Sequence, residues 1–276
     1  MSPVLRRLLL AGLLGAAPLL SASTSHDASA GISPADALIL LKGGNRRFVS
    51  GTAVHFQQDA QRRRDTATNG QNPFAVILTC ADSRVSPEIL FDQGIGCLFV
   101  IRVAGNVAQT DEVATAEYGV GHLGARLIVV LGHTKCGAVT AVVEGAKVGP
   151  NLAQLVKPIV PAATRARKEN PGSSGAPLIA AAIDANIEQA MADIQRLSPD
   201  LTAAIEHGQA CVVGALYDIE TGEVTFREGP GAPTEPAIPG APPSPHSEAT
   251  PVHSPAAAVT PTAPPPLKPI APVAHH

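Results

Sequence analysis

The sequence has no tryptophan, and aromatic residues make up only 3% of its 276 positions. A stacking platform for bases or sugars therefore has little to be built from. Nor is there a surplus of positive charge, since the formal net charge is −3. A nucleic-acid partner needs a basic face, so none is expected. No apolar run reaches the ~20 residues that span a bilayer comfortably. No cysteine stands near residue 20, where a bacterial lipoprotein would carry its lipid. Internal repeats are also missing.

What is present divides the chain into three parts. Residues 1–30 read as an export signal: Arg6 and Arg7, then "LLLAGLLGAAPLL", then small residues at Ala28–Ala30. The arginine pair also suits twin-arginine export. The expected location is periplasmic or secreted, with no membrane association once the signal is cleaved; the alternative is a retained anchor. Residues 229–276 are crowded with proline, alanine, threonine and serine, lack apolar periodicity and read as a disordered tail. Residues 31–228 are long enough for one domain with a full core.

Within that domain, "FAVILTC", "CLFVIRV", "RLIVVLGH" and "ACVVGALYD" have the Val, Ile and Leu content of strands buried on both faces. Helical patterns cover Asp111–Leu123, Ala138–Glu144 and Leu178–Leu197. An opening helix is capped by Ser33, with Pro34 in its first turn, and Gly43-Gly44 predicts its end. Thr221-Gly222 predicts a hairpin before the last strand. This alternation gives an α/β fold, a mainly parallel sheet flanked by helices.

Four cysteines are present, Cys80, Cys97, Cys136 and Cys211. In an exported protein the default is two disulfides. Placement argues otherwise for two of them. Cys80 ends one predicted strand and His133 ends another, and Cys136 follows at the start of a helix. In open α/β sheets, ligands gather where strand C-termini meet helix N-termini. Two thiolates and an imidazole suit zinc and leave a fourth position open. Asp82 and Arg84 follow Cys80 at the sheet edge, where unpaired charge is costly. Paired with each other they satisfy that burial and bring a carboxylate near the metal. Cys97 and Cys211 read as small buried thiols or, in an oxidising compartment, as a pair.

The blocks "TCADSRVSPEILFDQGIGCLFVIRVAGNV" and "EYGVGHLGARLIVVLGHTKCGAV" resemble the β-class carbonic anhydrases of the plant-type subgroup. The likeness runs from "GGNRRF" to "GALYDIETGEVTF". It implies reversible hydration of carbon dioxide to bicarbonate and a proton, with one Zn2+ per subunit on Cys80, His133 and Cys136. It implies zinc-bound hydroxide oriented by Asp82, with Arg84 holding Asp82. Zinc in that family lowers the pKa of its bound water to about 7. By the same resemblance Gln71 hydrogen-bonds substrate oxygen, and Phe99 and Tyr118 are pocket residues supplied by a neighbouring subunit. A homodimer is the minimum assembly, with tetramers of dimers in the family, and the N-terminal helix grips the partner. Gly137 offers a backbone N–H to substrate at a helix start, and Gly105 serves a tight turn near the pocket.

The same residues have plainer readings. Gln71 is otherwise a loop amide, and Phe99 and Tyr118 are core by periodicity. His122 is a proton shuttle or a solvent-facing helix residue. Some bacterial relatives carry tryptophan where this chain has Ile77, part of a bicarbonate site that shuts the enzyme, so an open fourth zinc position is expected here. Ala138 replaces a common second glycine, with little expected effect. Two rival functions remain: hydrolysis of carbonyl sulfide or carbon disulfide, and a zinc-stabilised scaffold whose tail engages a partner.

Overall fold

The computed structural model of the protein describes residues 32–227 and Gly229. The expected export signal and the proline-rich tail, Gly229 apart, lie outside the described residues. Element order is α1 (Pro34–Val49), α2 (Ala60–Asn69), β1 (Ala75–Thr79), α3 (Pro87–Leu90), β2 (Leu98–Arg102), α4 (Thr110–Gly121) and β3 (Leu127–His133). There follow α5 (Gly137–Glu144), α6 (Pro150–Val156), α7 (Ile159–Glu169), α8 (Gly175–Leu197), α9 (Pro199–Glu206), β4 (Cys211–Tyr217) and β5 (Val224–Arg227).

The strands form one sheet in the order β2-β1-β3-β4-β5. The first four run parallel, and β5 is antiparallel to β4, which bears out the hairpin. Every residue of β1 and β3 is buried, so both faces of the central strands are covered. Side chains alternate between two cores, as a period of two requires. Val76, Leu78, Ile128, Val130 and Val212 face one core, shared with α4, α5, α7, α8 and α9. Ile77, Leu127, Val129, Leu131 and Val213 face the other, with Ala37 and Leu41 of α1 and Phe91 after α3. Each fully buried Leu or Ile contributes roughly 1.5–3 kcal/mol.

The sequence signals at the start of α1 hold. Ser33 accepts from Asp36 N at 3.1 Å, and Pro34 stands in the first turn. The expected stop at Gly43-Gly44 does not. The helix runs on to Val49, because Gly44 is a packing glycine. A Cβ there would fall 1.7 Å from the Phe91 carbonyl oxygen. Helix α8 reads from Gly175 rather than Leu178 and rides close on the sheet. A Cβ on Gly132 would lie 2.6 Å, and one on Gly214 2.9 Å, from side-chain carbons of Ile187. Those two glycines let α8 seat against β3 and β4.

Candidate metal centre

The chain passes from β1 to β2 on one side, then returns to β3 on the other. The order therefore reverses between β1 and β3, and a crevice forms beyond their C-terminal ends. Cys80 directly follows β1, His133 is the last residue of β3, and Cys136 caps α5. Thr79 Oγ1 donates to Leu131 O at 2.8 Å and locks the two strand ends in register.

The Sγ atoms of Cys80 and Cys136 and a ring nitrogen of His133 lie within 4.8 Å of one another. All three residues are buried, with His133 fully enclosed. The imidazole tautomer follows from its partner. Nδ1 lies 2.9 Å from the Thr134 carbonyl, which can only accept, so Nδ1 carries the proton. In the neutral ring Nε2 is then the acceptor, and it is buried with no hydrogen-bond partner. An unpartnered acceptor facing two sulfurs is costly unless a cation completes it. The Cys136 S–H pulls the Cys80 thiol down against its burial, while the Cys80 sulfur and burial push Cys136 up. The Gly105 N–H donates to Cys80 Sγ at 3.3 Å. The donor set thus fits a metal.

Asp82 Oδ2 stands 4.0 Å from His133 Nε2, too far for a hydrogen bond. Both its oxygens are taken by Arg84. Nε donates to Oδ1 at 2.9 Å, a terminal guanidinium nitrogen to Oδ2 at 2.8 Å, and the Arg84 backbone N–H to Oδ1 at 3.0 Å. This fork holds the Asp82 carboxyl well below the usual carboxylate range, and the Arg84 guanidinium is raised in turn. Arg102, paired in register with Thr79, donates to Cys80 O at 3.2 Å and Asp82 O at 2.7 Å. It braces the backbone that carries both residues. Nothing in the local pattern around Arg102 announces this; it follows from the register of β2 on β1.

The loop between His133 and Cys136 is tied to the β4–β5 turn. Thr134 N donates to Tyr217 O at 2.9 Å, and Ile219 N donates to Thr134 Oγ1 at 3.1 Å. Lys135 pairs with Glu220 at 2.9 Å and has a left-handed backbone, φ 59°. Gly137 opens α5, and a Cβ there would meet no atom within 4 Å, so a small molecule can approach its backbone.

Gln71, Phe99 and Tyr118 are not brought to this cluster within a single chain. Gln71 is exposed and precedes β1, whereas Cys80 follows it. Phe99 pairs with Val76, three residues short of Thr79 in register, or about 10 Å along the strand. Its ring lies 5.9 Å from that of Tyr118, and Tyr118 lies 5.1 Å from His122. Tyr118 is 48% exposed, against its expectation as core, and His122 faces solvent as its plainer reading had it. Cys97 and Cys211 are free and stand before β2 and in β4, with β1 and β3 between those strands. Three strand spacings, about 14 Å, rule out a bond between them.

The carbonic anhydrase family model matches residues 75–224. Carbonic anhydrase 2 of Mycobacterium tuberculosis H37Rv is 35% identical over 71% of this chain and 93% of its own. The carbonic anhydrase of Mycolicibacterium smegmatis is 36% identical over 70% and 93%. The solved β-carbonic anhydrase CcaA superposes with a TM-score of 0.56 at 28% identity, covering 70% of this chain and 89% of that one. Matched by family model, by relatives along nearly their whole length and by fold, the chain belongs to the β-class carbonic anhydrases.

Proposed function

We propose that this enzyme catalyses the reversible hydration of carbon dioxide at a Zn2+ held by Cys80, His133 and Cys136, one ion per subunit. The observation that carries this reading is the enclosed His133 Nε2 lone pair beside two sulfurs, unpartnered by protein. Two sulfurs and one imidazole match zinc's preference, and three protein ligands leave one position free. Zinc when bound supplies Lewis acidity, the property that makes water acidic enough to react at neutral pH.

The chain's own residues do the rest. Asp82, ionised and acceptor-only, takes the hydrogen bond of the reacting water and so turns its lone pair toward the carbon of carbon dioxide. Arg84 fixes that carboxylate with two donors and keeps it from swinging toward the cluster. Gly137 offers its backbone N–H at the helix start to a substrate oxygen. Gln71 hydrogen-bonds a substrate oxygen, and Phe99 and Tyr118 serve the site of a neighbouring subunit, in a homodimer or a tetramer of dimers. In support, Ile32, Ile39 and Leu40 on and before α1 are exposed apolar residues, a face that association would bury. The basic and apolar pattern of residues 1–30 supports a periplasmic or secreted enzyme.

Metal analysis of the purified protein, with stopped-flow carbon dioxide hydration on the same sample, tests the proposal. Near-stoichiometric zinc, with hydration lost on chelation and restored by zinc, is expected. Full hydration in protein stripped of metal would refute it.

A further inference from the structure

Cys80 accepts a hydrogen bond from Gly105 N–H at 3.3 Å. That donor sits on the least constrained kind of residue. Gly105 has φ 80°, in the left-handed region, and glycine alone can leave that region at little cost. Something must pin it if its N–H is to stay on the sulfur. The pin comes from α8, far along the chain. Asn186 is 2% exposed, and its Nδ2 donates to the Gly105 carbonyl at 2.8 Å. A Cβ on Gly105 would meet Ile159 Cδ1 of α7 at 2.6 Å and Ala138 Cβ of α5 at 3.2 Å, so the same glycine is also walled in.

Asn186 is itself held in place. The next residue, Ile187, is fully buried and seats in the spaces left by Gly132 and Gly214. Gly132 directly precedes His133. One turn of α8 is thus keyed to both chain segments of the metal centre. Ile187 fixes its height above β3, and Asn186 reaches across to the loop that solvates Cys80. A buried asparagine is kept only if its amide is satisfied, and a leucine would fill the volume without that requirement. Its hydrogen bond goes to Gly105, whose N–H donates to the Cys80 sulfur.

We propose that Asn186 is a positioning residue for the metal centre. By fixing the Gly105 carbonyl it holds the Gly105 N–H on Cys80 Sγ, and so tunes how tightly the Cys80, His133 and Cys136 set retains its metal. The proposal rests on those three residues binding zinc.

The test uses the full chain, wild type beside Asn186→Leu, Asn186→Ser and Met191→Ala. Met191 lies a turn further along α8, with its sulfur 2.9 Å from where a Gly214 Cβ would be; its truncation loosens the helix without touching the Gly105 loop. Zinc affinity is measured by competition with a chromophoric chelator at one fixed pH. The sulfur-to-metal absorption band of the cobalt-substituted protein and the melting of the metal-free protein are recorded alongside. Outer-layer partners of metal ligands typically change affinity ~10–100-fold. Both Asn186 variants are expected to lose about tenfold or more in affinity and to shift the cobalt band. Met191→Ala is expected to melt lower with its affinity within about twofold of wild type. Asn186→Ser is the smaller change and carries the test if Asn186→Leu does not fold. Unchanged affinity and band in the Asn186 variants would overturn the proposal, as would affinity losses that track melting equally in all three. Failure of the wild type to bind zinc would instead overturn the metal reading beneath it.

Discussion

Replacing Gly44 with alanine should damage the protein, although alanine is the better helix former. The added methyl would lie 1.7 Å from Phe91 O and 2.5 Å from Phe91 C. Its neighbour is backbone at the end of α3, so no side-chain rotation relieves the overlap, and α1 must lift. Asn45 would feel the shift at once. Its Nδ2 donates to Leu90 O at 3.2 Å and Gly222 O at 2.9 Å, and its Oδ1 accepts from Val224 N at 2.9 Å. Overpacking costs about 1–3 kcal/mol, and three strained buried bonds add about 1 kcal/mol each at most. Helix propensity returns about 1 kcal/mol. The balance is a loss of about 3 kcal/mol, or a fall in Tm of about 6–12 °C for a domain of this size. Gly43→Ala is the internal control. Its methyl would meet only the guanidinium tips of Arg47 and Arg46, at 3.7 and 3.8 Å, so stability should rise by about 0.5–1 kcal/mol. Urea unfolding of the three proteins decides the matter. A Gly44→Ala protein as stable as wild type, or Gly43→Ala as the worse of the two, would refute the packing account of this glycine pair.

Three further outcomes follow from the geometry. Lys135→Gly should be tolerated, because φ is 59° and the exposed Glu220 pair contributes little. Lys135→Val should cost about 1–2 kcal/mol in thermal melts. Burial works against the Asp92 carboxylate, but Arg47 at 2.6 Å and the Val54 and His55 N–H groups outweigh it and hold its carboxyl below the ordinary 3.8. Its contribution to stability is therefore present above that value and lost as pH falls. In urea midpoints taken from about pH 5 to pH 3, Asp92→Asn should flatten the decline that wild type shows. All four cysteines are free in the fold, so the unfolded chain should titrate four thiols without reductant. Two thiols, with peptide mapping that joins Cys97 to Cys211, would contradict the separation of that pair.

Much of this architecture is legible in the sequence, because it depends on local chemistry. The buried strands show in runs such as "RLIVVLGH", the hairpin in Thr221-Gly222, and the start of α1 in Ser33-Pro34. The ligand cluster is legible once two strand ends are placed at one sheet edge. What escapes is whatever long-range packing decides. Gly43-Gly44 has the form of a helix stop, but a contact 47 positions away, at Phe91, gives Gly44 its purpose. Helix α2 has no buried residue and so no apolar period to detect. Arg102 and Asn186 carry no motif, and their roles arise from strand register and from the seat of α8. Gln71, Phe99 and Tyr118 entered through resemblance, and a single chain leaves them away from the cluster.

The most direct test of the account is carbon dioxide hydration by Asp82→Asn, with zinc content measured on the same preparation. Asparagine keeps the shape but presents an N–H2 where the reacting water needs an acceptor, and it breaks the charge-assisted fork from Arg84. The account predicts full zinc content with hydration reduced by about 100-fold or more, the scale of a lost acid–base or orienting group. Zinc retained with hydration near that of wild type would contradict it.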